Sequence, residues 1–241
     1  MHAEVNESLA RRVLEVVDAG LVPGMGAPEP GKMCVEAAVC FAMGLPHSDE
    51  PTCVAPVLRR LKIRLNDLRW SSNQARSKGL RRLAIAQLGS AGALYEKEFA
   101  KRCGRLAIQT CVPAALRAAA SLAEGERKER LLAEADLCER EPTEANARAA
   151  KDAAYAASDA AAQAAFATSD AAAYAAAYAA SDATSDAAAY AAAYAADAAA
   201  YAAADRSLAD FAEGVVQILI EMHAPGCQWL WMTEEAATCS T

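Results

Sequence analysis

Apolar residues recur every three or four positions along most of the chain, the spacing that places them on one face of an α-helix. The first run is Leu9, Val13, Val16 and Val17, and it stops at Gly20. Runs that alternate strictly between polar and apolar residues, as half-buried strands do, are missing. The pattern therefore predicts an all-α fold. Helices are expected over approximately residues 3–19, 33–43, 52–68, 73–88, 91–108, 113–122 and 127–139.

These helices are predicted to form an N-terminal bundle of about seven helices over residues 1–141. Glycine and proline mark the connections between them. Residues 21–32 contain six such residues, too many for regular structure, and residues 46–51 form a second loop. Asp49 or Thr52 is expected to cap the helix that follows this second loop.

A different pattern begins at Thr143. Residues 143–213 contain neither glycine nor proline, and 37 of the 60 residues from Ala145 to Ala204 are alanine, the residue with the highest helix propensity. The sequence predicts an alanine-rich helical arm over residues 142–205. The arm is either continuous or kinked or hairpinned near residues 181–186, where a short insert separates two copies of the repeat SDAAAYAAAYAA.

The larger side chains of this arm lie on one line, which we call the Tyr/Asp track: Asp152, Tyr155, Asp159, Gln163, Phe166, Asp170, Tyr174, Tyr178, Asp182, Asp186, Tyr190, Tyr194, Asp197, Tyr201 and Asp205. Each step along it is three or four residues, so the remaining surface of the helix is a smooth face of Ala, Ser and Thr. We expect the smooth face to pack on the bundle or on another copy of the chain. The aromatic rings of the track are expected to pack against a partner helix. The predicted partner-binding residues are Tyr155, Phe166, Tyr174, Tyr178, Tyr190, Tyr194 and Tyr201.

The last segment, residues 206–241, is predicted to contain an amphipathic helix. Its apolar stripe is Leu208, Phe211, Val215, Leu219 and Met222. A stripe of large apolar residues requires a partner surface, so we expect this helix and its tail to dock on the bundle. The predicted domain organisation is thus a bundle (1–141), an arm (142–205) and a docking helix (206–241).

Charge differs sharply between the two parts of the chain. Up to Glu141 the sequence holds 21 Lys and Arg against 18 Asp and Glu, and from Pro142 onward 3 against 13. Thirteen of the basic residues lie between Arg59 and Arg105. This basic region 59–105 makes nucleic-acid binding a further alternative, although the sequence contains no recognised nucleic-acid-binding motif.

Aspartates interrupt the alanine-rich arm, so no stretch of about 20 uncharged residues is present and no membrane-spanning segment is predicted. The polar first ten residues lack the apolar stretch of a signal peptide. We therefore expect a cytoplasmic protein in which the eight cysteines are mostly reduced thiols.

Cys34, His47 and Cys53 are the candidate metal ligands, because thiolate and imidazole are the groups that zinc prefers. No other cofactor is expected. The same residues allow a second reading, in which Cys34 near a helix N-terminus is a nucleophile and the pair His47 and Asp49 supplies and orients a base. Buried structural cysteines and a loop histidine bonded to the backbone form the third reading.

Three stretches of the chain resemble a group of uncharacterised alanine-rich proteins from bacterial and phage genomes. They are Met33-Cys34-Val35-Glu36-Ala37-Ala38, the H-S-D-x-P-x-C loop from His47 to Cys53, and Leu65-Asn66-Asp67. The resemblance covers about the first 90 residues by motif and the tail by composition. It implies that His47, Asp49, Cys53 and Asn66 form a fixed constellation, and it implies no activity.

The leading hypothesis is a non-enzymatic helical scaffold or interaction protein, with a phage–host context as its setting. It would self-associate or bind a protein partner through the alanine-rich helix. A small metal protein or enzyme centred on Cys34, His47 and Cys53 is the alternative.

Overall fold

The computed structural model describes residues 5–156 and 205–235, together with the isolated positions Gln163, Ala167, Thr168 and Ala171. Regular structure in these residues is mostly helical, which confirms the all-α class. β-type pairing in the described ranges is limited to isolated bridges from Met33 to Leu21 and Gly26. The helices are α1 (Glu7–Asp18), α2 (Val35–Ala42), α3 (Pro56–Asp67), α4 (Asn73–Ala86), α5 (Glu96–Leu106), α6 (Val112–Ser121), α7 (Gly125–Arg140), α8 (Glu144–Tyr155), α9 (Asp205–Glu221) and α10 (Met232–Glu235).

The chain divides into two compact units. The first comprises residues 1–96 with 212–241, and the second comprises residues 97–211. These boundaries do not coincide with those predicted after residues 141 and 205. Because most of the predicted arm lies outside the described residues, the division into bundle, arm and docking helix stays a prediction.

Helix α2 lies at the centre of the first unit. It contacts α1, α3 and α4, and its residues Val35, Ala37, Ala38, Val39 and Cys40 are all fully buried. A helix that is apolar on every side can be stable only inside a core. Helix α2 therefore positions the helices around it.

At the starts of several helices, side chains accept hydrogen bonds from backbone N–H groups that have no partner within the helix. Asn6, Ser72 and Thr143 each accept a hydrogen bond from the first turn of the helix that they precede. The prediction that Asp49 or Thr52 caps α3 is wrong, because this helix begins at Pro56 with Ala55 as its N-cap. Glu96 Oε2 instead accepts a hydrogen bond from the Val57 N–H at 3.2 Å.

The segment after α9 packs closely on α4. The 3₁₀ turn Pro225–Trp229 contacts α4, and a Cβ on Gly226 would lie 2.3 Å from the Ile85 carbonyl oxygen. Leu230 and Met232 are buried beyond this turn. Only glycine allows so close an approach of two backbones, so position 226 tolerates no side chain.

In the second unit, α6, α7 and α8 pack against one another. Arg117 of α6 bridges Asp136 and Glu139 of α7 at 2.9 and 2.5 Å. A π-helical turn, Ala107–Cys111, joins α5 to α6 where the sequence predicted a helix end followed by a loop. Helix α8 buries Ala147, Ala150, Ala153 and Ala154.

The predicted break near residues 181–186 lies outside the described residues. Most residues of the Tyr/Asp track also lie outside the described residues, including Phe166, Tyr174, Tyr178, Tyr190, Tyr194 and Tyr201. In the described part of the chain, no helix combines the length and the apolar character needed to cross a membrane.

Substitution of Ala150 by leucine tests the close packing of α8. Ala150 is fully buried, so the larger side chain will overpack the contact with the neighbouring helices. We expect the free energy of unfolding, measured by urea denaturation, to fall by about 1–3 kcal/mol.

The matched control is Ala145→Leu, an identical change at an exposed position of the same helix. It should change stability by no more than about 0.5 kcal/mol. Equal losses for both variants would contradict the packing of the alanine face.

Candidate functional site

The three candidate metal ligands are each engaged with a different partner. Cys34 is the N-cap of α2, and its Sγ accepts a hydrogen bond from the Ala37 N–H at 3.3 Å. His47 Nε2 lies 3.1 Å from the Gly26 carbonyl oxygen, and Cys53 Sγ lies 3.5 Å from Met43 Sδ. Among the described residues, no group of three or more His, Cys, Asp or Glu side chains is arranged to hold a metal ion. The zinc hypothesis stays a prediction, and this geometry gives it no support.

The thiols also lack the environment of an activated nucleophile. Burial raises the pKa of Cys34 to about 11, although the N–H groups at the start of α2 act in the opposite direction. Burial likewise raises the pKa of Cys53. A reactive cysteine requires a lowered pKa and access to solvent. The arrangement therefore favours the third reading, buried cysteines and a histidine bonded to the backbone.

Two of the four residues of the constellation implied by the resemblance, His47 and Asn66, contact the loop that precedes α2. Asn66 Oδ1 accepts a hydrogen bond from the Val35 N–H at 3.2 Å, and its Nδ2 donates to the Val22 carbonyl at 2.8 Å. Asp67 Oδ1 accepts from the Gly24 N–H at 2.7 Å. His47 reaches the same loop at Gly26. The side chains at the end of α3 thus fix the loop over residues 21–34.

Arg76, which the sequence analysis missed, completes this support from α4. Its guanidinium is buried and donates to the carbonyl oxygens of Asn66 at 2.7 Å and Leu21 at 3.1 Å. An arginine in the first turn of a helix faces the unfavourable end of the helix dipole. That unusual position is the signal that could have identified it as a residue with specific partners.

The most unusual feature of the first unit is a buried charge cluster formed by Glu36 of α2, Lys62 of α3 and Gln87 after α4. All three residues are fully buried. Lys62 Nζ lies 3.6 Å from Glu36 Oε1, an ion pair beyond hydrogen-bond distance. Both carboxylate oxygens, the ammonium nitrogen and both polar atoms of Gln87 form no hydrogen bond in the described part of the chain.

Burial sets the protonation of this cluster. Desolvation raises the pKa of Glu36 to about 7, against the opposing effect of the Lys62 charge. Desolvation also lowers the pKa of Lys62, although Glu36 acts in the opposite direction. Both shifts favour the neutral forms, since charges are costly in an apolar interior. Periodicity gave no sign that these two ionisable residues are buried together.

Several cations of the basic region 59–105 are buried or paired within the chain. Lys62 and Arg76 are buried, and Arg59 pairs with Glu50 at 3.2 Å. Arg81 pairs with Asp18 at 2.7 Å, and Arg82 pairs with Glu213 at 2.9 Å and Glu234 at 3.3 Å. Phosphate binding requires cations that are free to face the backbone of a nucleic acid. Nucleic-acid binding therefore stays a prediction with reduced support.

Three of the four described residues of the Tyr/Asp track face outward, and the fourth, Asp205, is half-buried. Asp152, Tyr155 and Gln163 are exposed, and Tyr155 keeps 77% of its surface accessible. Residues of the smooth face are buried, including Ala154, Thr168 and Ala171. Of the predicted partner-binding residues, only Tyr155 falls among the described ones.

The chain matches no protein-family model, no curated protein and no solved structure at a significant level.

The raised pKa of Glu36 predicts a specific pH dependence of stability. A carboxyl whose pKa is higher in the folded than in the unfolded state contributes stability below its unfolded pKa, and this contribution is lost as the pH rises through the folded pKa. We therefore expect the free energy of unfolding to decline between about pH 4.5 and pH 7 by at most about 3 kcal/mol relative to Glu36→Gln.

The comparison with Glu36→Gln cancels the titration of all other carboxyls. Chemical denaturation at a series of pH values measures both proteins. A difference that stays constant with pH would show that folding does not shift the pKa of Glu36, and one that grows in favour of the native chain toward pH 7 would show that folding lowers it.

Removal of the Asn66 side chain tests the support of the loop. Asn66→Ala leaves the Val35 N–H and the Val22 carbonyl without their partner, so we expect a loss of about 2–4 kcal/mol in the free energy of unfolding. Asn146→Ala is the matched control, because Asn146 donates to the Glu141 carbonyl at the surface. We expect this control to lose less than about 1 kcal/mol.

Proposed function

We propose that the chain is a helical interaction protein that self-associates through its Tyr/Asp track. The observation that carries this proposal is the orientation of α8. Its alanine face is buried where α8 contacts α6 and α7, whereas Tyr155 is exposed. Because the smooth face is buried within the chain, the exposed ring-bearing side is the surface that we assign to the contact.

Charge favours the basic region of a second copy as the partner surface. Residues 142–205 contain eight Asp and Glu against two Lys and Arg, whereas residues 59–105 contain three against thirteen. Two tracks placed face to face would bring aspartates together and repel each other. A Tyr/Asp track placed on the basic region would form ion pairs through its aspartates and cation–π contacts through its phenol rings.

Several cationic side chains of the basic region are exposed in the structure: Arg69, Lys78, Lys101 and Arg105. The chain already uses both kinds of contact internally. The Arg11 guanidinium lies 5.4 Å from the centre of a Trp231 ring, and Arg82 pairs with two acidic residues that follow Pro142 in the sequence. A contact between copies would repeat this chemistry between different surfaces of each copy, an arrangement that closes into a ring or continues as a chain.

The absence of an activated thiol among the candidate residues supports a binding role over an enzymatic one. Cys34 and Cys53 are buried thiols, and His47 Nε2 contacts a backbone carbonyl. The three side chains therefore serve the fold around the loop, and the solvent-facing chemistry described for the arm is that of its rings and carboxylates.

Light scattering coupled to size exclusion tests this proposal across a range of protein and salt concentrations. We expect the intact chain to have the mass of at least two copies at micromolar concentration, and to dissociate as added salt screens the charges. Replacement of all track tyrosines by serine should yield a monomer. Tyr95→Ser is the matched control, because Tyr95 is 68% exposed and lies off the track.

Circular dichroism of each variant establishes that the helices are retained. A monomer at every concentration of the intact chain would refute self-association. An oligomer that survives in the track variant would assign the contact to another surface.

A further inference from the structure

The π-helical turn of the second unit gives the helical run over residues 96–121 one continuous exposed face. Helix α5, the turn and helix α6 follow one another directly, and the Val112 N–H donates to the Ala107 carbonyl five residues earlier. This longer hydrogen-bonded loop keeps a step of five residues on the same side of the run. The exposed positions of this face are separated by four, five and four residues: Lys101, Arg105, Thr110 and Ala114.

A pocket of about 140 Å³ opens at the end of this face that follows the two cations. It lies entirely within the second unit. Cys111 and Phe211 are buried and form its floor, whereas Thr110 and Asp210 are exposed at its rim. An apolar floor below a few polar groups is the usual construction of a ligand pocket. The lining residues come from the π-helical turn, from α6 and from the start of α9: Thr110, Cys111, Ala114, Ser207, Asp210 and Phe211.

The pocket has the size and chemistry to hold one aromatic ring. A protein cavity of about 150 Å³ binds a benzene molecule. The Phe211 ring offers an aromatic neighbour and Cys111 a polarisable sulfur, and both favour contact with a second ring. At the rim, the hydroxyl of Ser207 and the carboxylate of Asp210 are acceptors for a phenol O–H. A tyrosine side chain combines the ring and the hydroxyl that this lining accommodates.

We propose that the pocket receives a tyrosine ring from the Tyr/Asp track of a second copy, while a neighbouring aspartate of that track pairs with Arg105. The inference rests on the self-association proposed above and names the surface that this contact uses. Every tyrosine of the track has an aspartate three or four residues away, which is about one turn of the predicted helix. Arg105 and Thr110 are also about one turn apart, so one ring and one carboxylate reach both positions together.

Charge determines which part of the track enters the pocket. The Asp210 carboxylate at the rim lies 3.7 Å from Arg206, and both side chains are largely exposed. A second carboxylate placed beside Asp210 would be repelled, whereas a phenol carries no charge. The cations Lys101 and Arg105 lie on the preceding part of the same face. Rings are therefore directed to the pocket and aspartates to the cations.

Filling the pocket with a bulky side chain tests the proposal. Ala114 lines the pocket but is exposed, so Ala114→Trp places an indole ring there without overpacking the core. We expect the dissociation constant of the oligomer, measured by analytical ultracentrifugation, to rise by about tenfold or more. Ala133→Trp is the matched control, because Ala133 is an exposed alanine of α7 outside the pocket. It should leave the dissociation constant unchanged, and circular dichroism checks that both variants keep their helices.

Reversal of charge tests the second half of the contact. Arg105→Glu should weaken association and make the dissociation constant less dependent on salt, because an ion pair is lost. Lys128→Glu makes the same change of charge at an exposed position of α7 and should alter neither property. An oligomer of the unaltered chain that is insensitive to Ala114→Trp would overturn the pocket as the contact while self-association stands. A monomeric unaltered chain would overturn both proposals.

Photo-crosslinking identifies the occupant of the pocket. p-Benzoylphenylalanine replaces Ala118, which is exposed one turn beyond Ala114, and ¹⁵N-labelled and unlabelled copies are mixed at high salt and returned to low salt. Trypsin releases the whole track as the peptide 152–206. We expect light to join peptide 118–127 of one copy to peptide 152–206 of the other. Links that never combine the two labels would place the arm of the same chain at the pocket, and links to a different peptide would place another surface there. Either result would overturn the proposal.

Discussion

The burial of Glu36 and Lys62 constrains the first unit more than any other interaction. Two charges 3.6 Å apart attract by about 5 kcal/mol at an effective dielectric constant of about 20. Removing both from water costs several kcal/mol for each ion, so the attraction does not exceed the cost. The Glu36–Lys62 pair therefore specifies how α2 and α3 pack and adds no net stability. Only when α2 and α3 meet on these faces does either group have a partner, and any rotation of α3 would leave a lone charge in the core.

The loop over residues 21–34 follows from the same burial of α2. A segment without regular structure that leads into a buried helix carries backbone N–H and C=O groups that still require partners. Asn66, Asp67 and Arg76 supply them at Val35, Val22, Gly24 and Leu21. The loop itself requires glycine at position 26, where φ is +73° and a Cβ would lie 2.0 Å from the Lys32 carbonyl oxygen. The polar side chains at the end of α3 thus hold the loop that leads into the buried helix α2.

Periodicity predicted the helices well where an apolar stripe ends at glycine or proline, as in α1 and α4. It failed where distant residues set a boundary. The helix expected from Ala91 begins at Glu96, and α3 receives a bond from Glu96 in place of a local cap. Local pattern also treats every lysine and glutamate as exposed, so Lys62 was assigned to a basic surface. Cys34, His47 and Cys53 lie close in sequence, but proximity along a chain does not make three side chains converge on a point.

Alanine explains why the exposed side of α8 matters more for recognition than the buried side. An alanine face buries little area per residue, and its stability comes from the close approach that small side chains allow. Such a face fits many smooth surfaces and distinguishes poorly between them. Discrimination requires groups with shape and charge, and in α8 these include Asp152 and Tyr155, both exposed. Gln163 is exposed and Thr168 is buried, which follows the same division. In α8, therefore, the methyl groups of alanine pack within the second unit, while Asp152 and Tyr155 remain exposed.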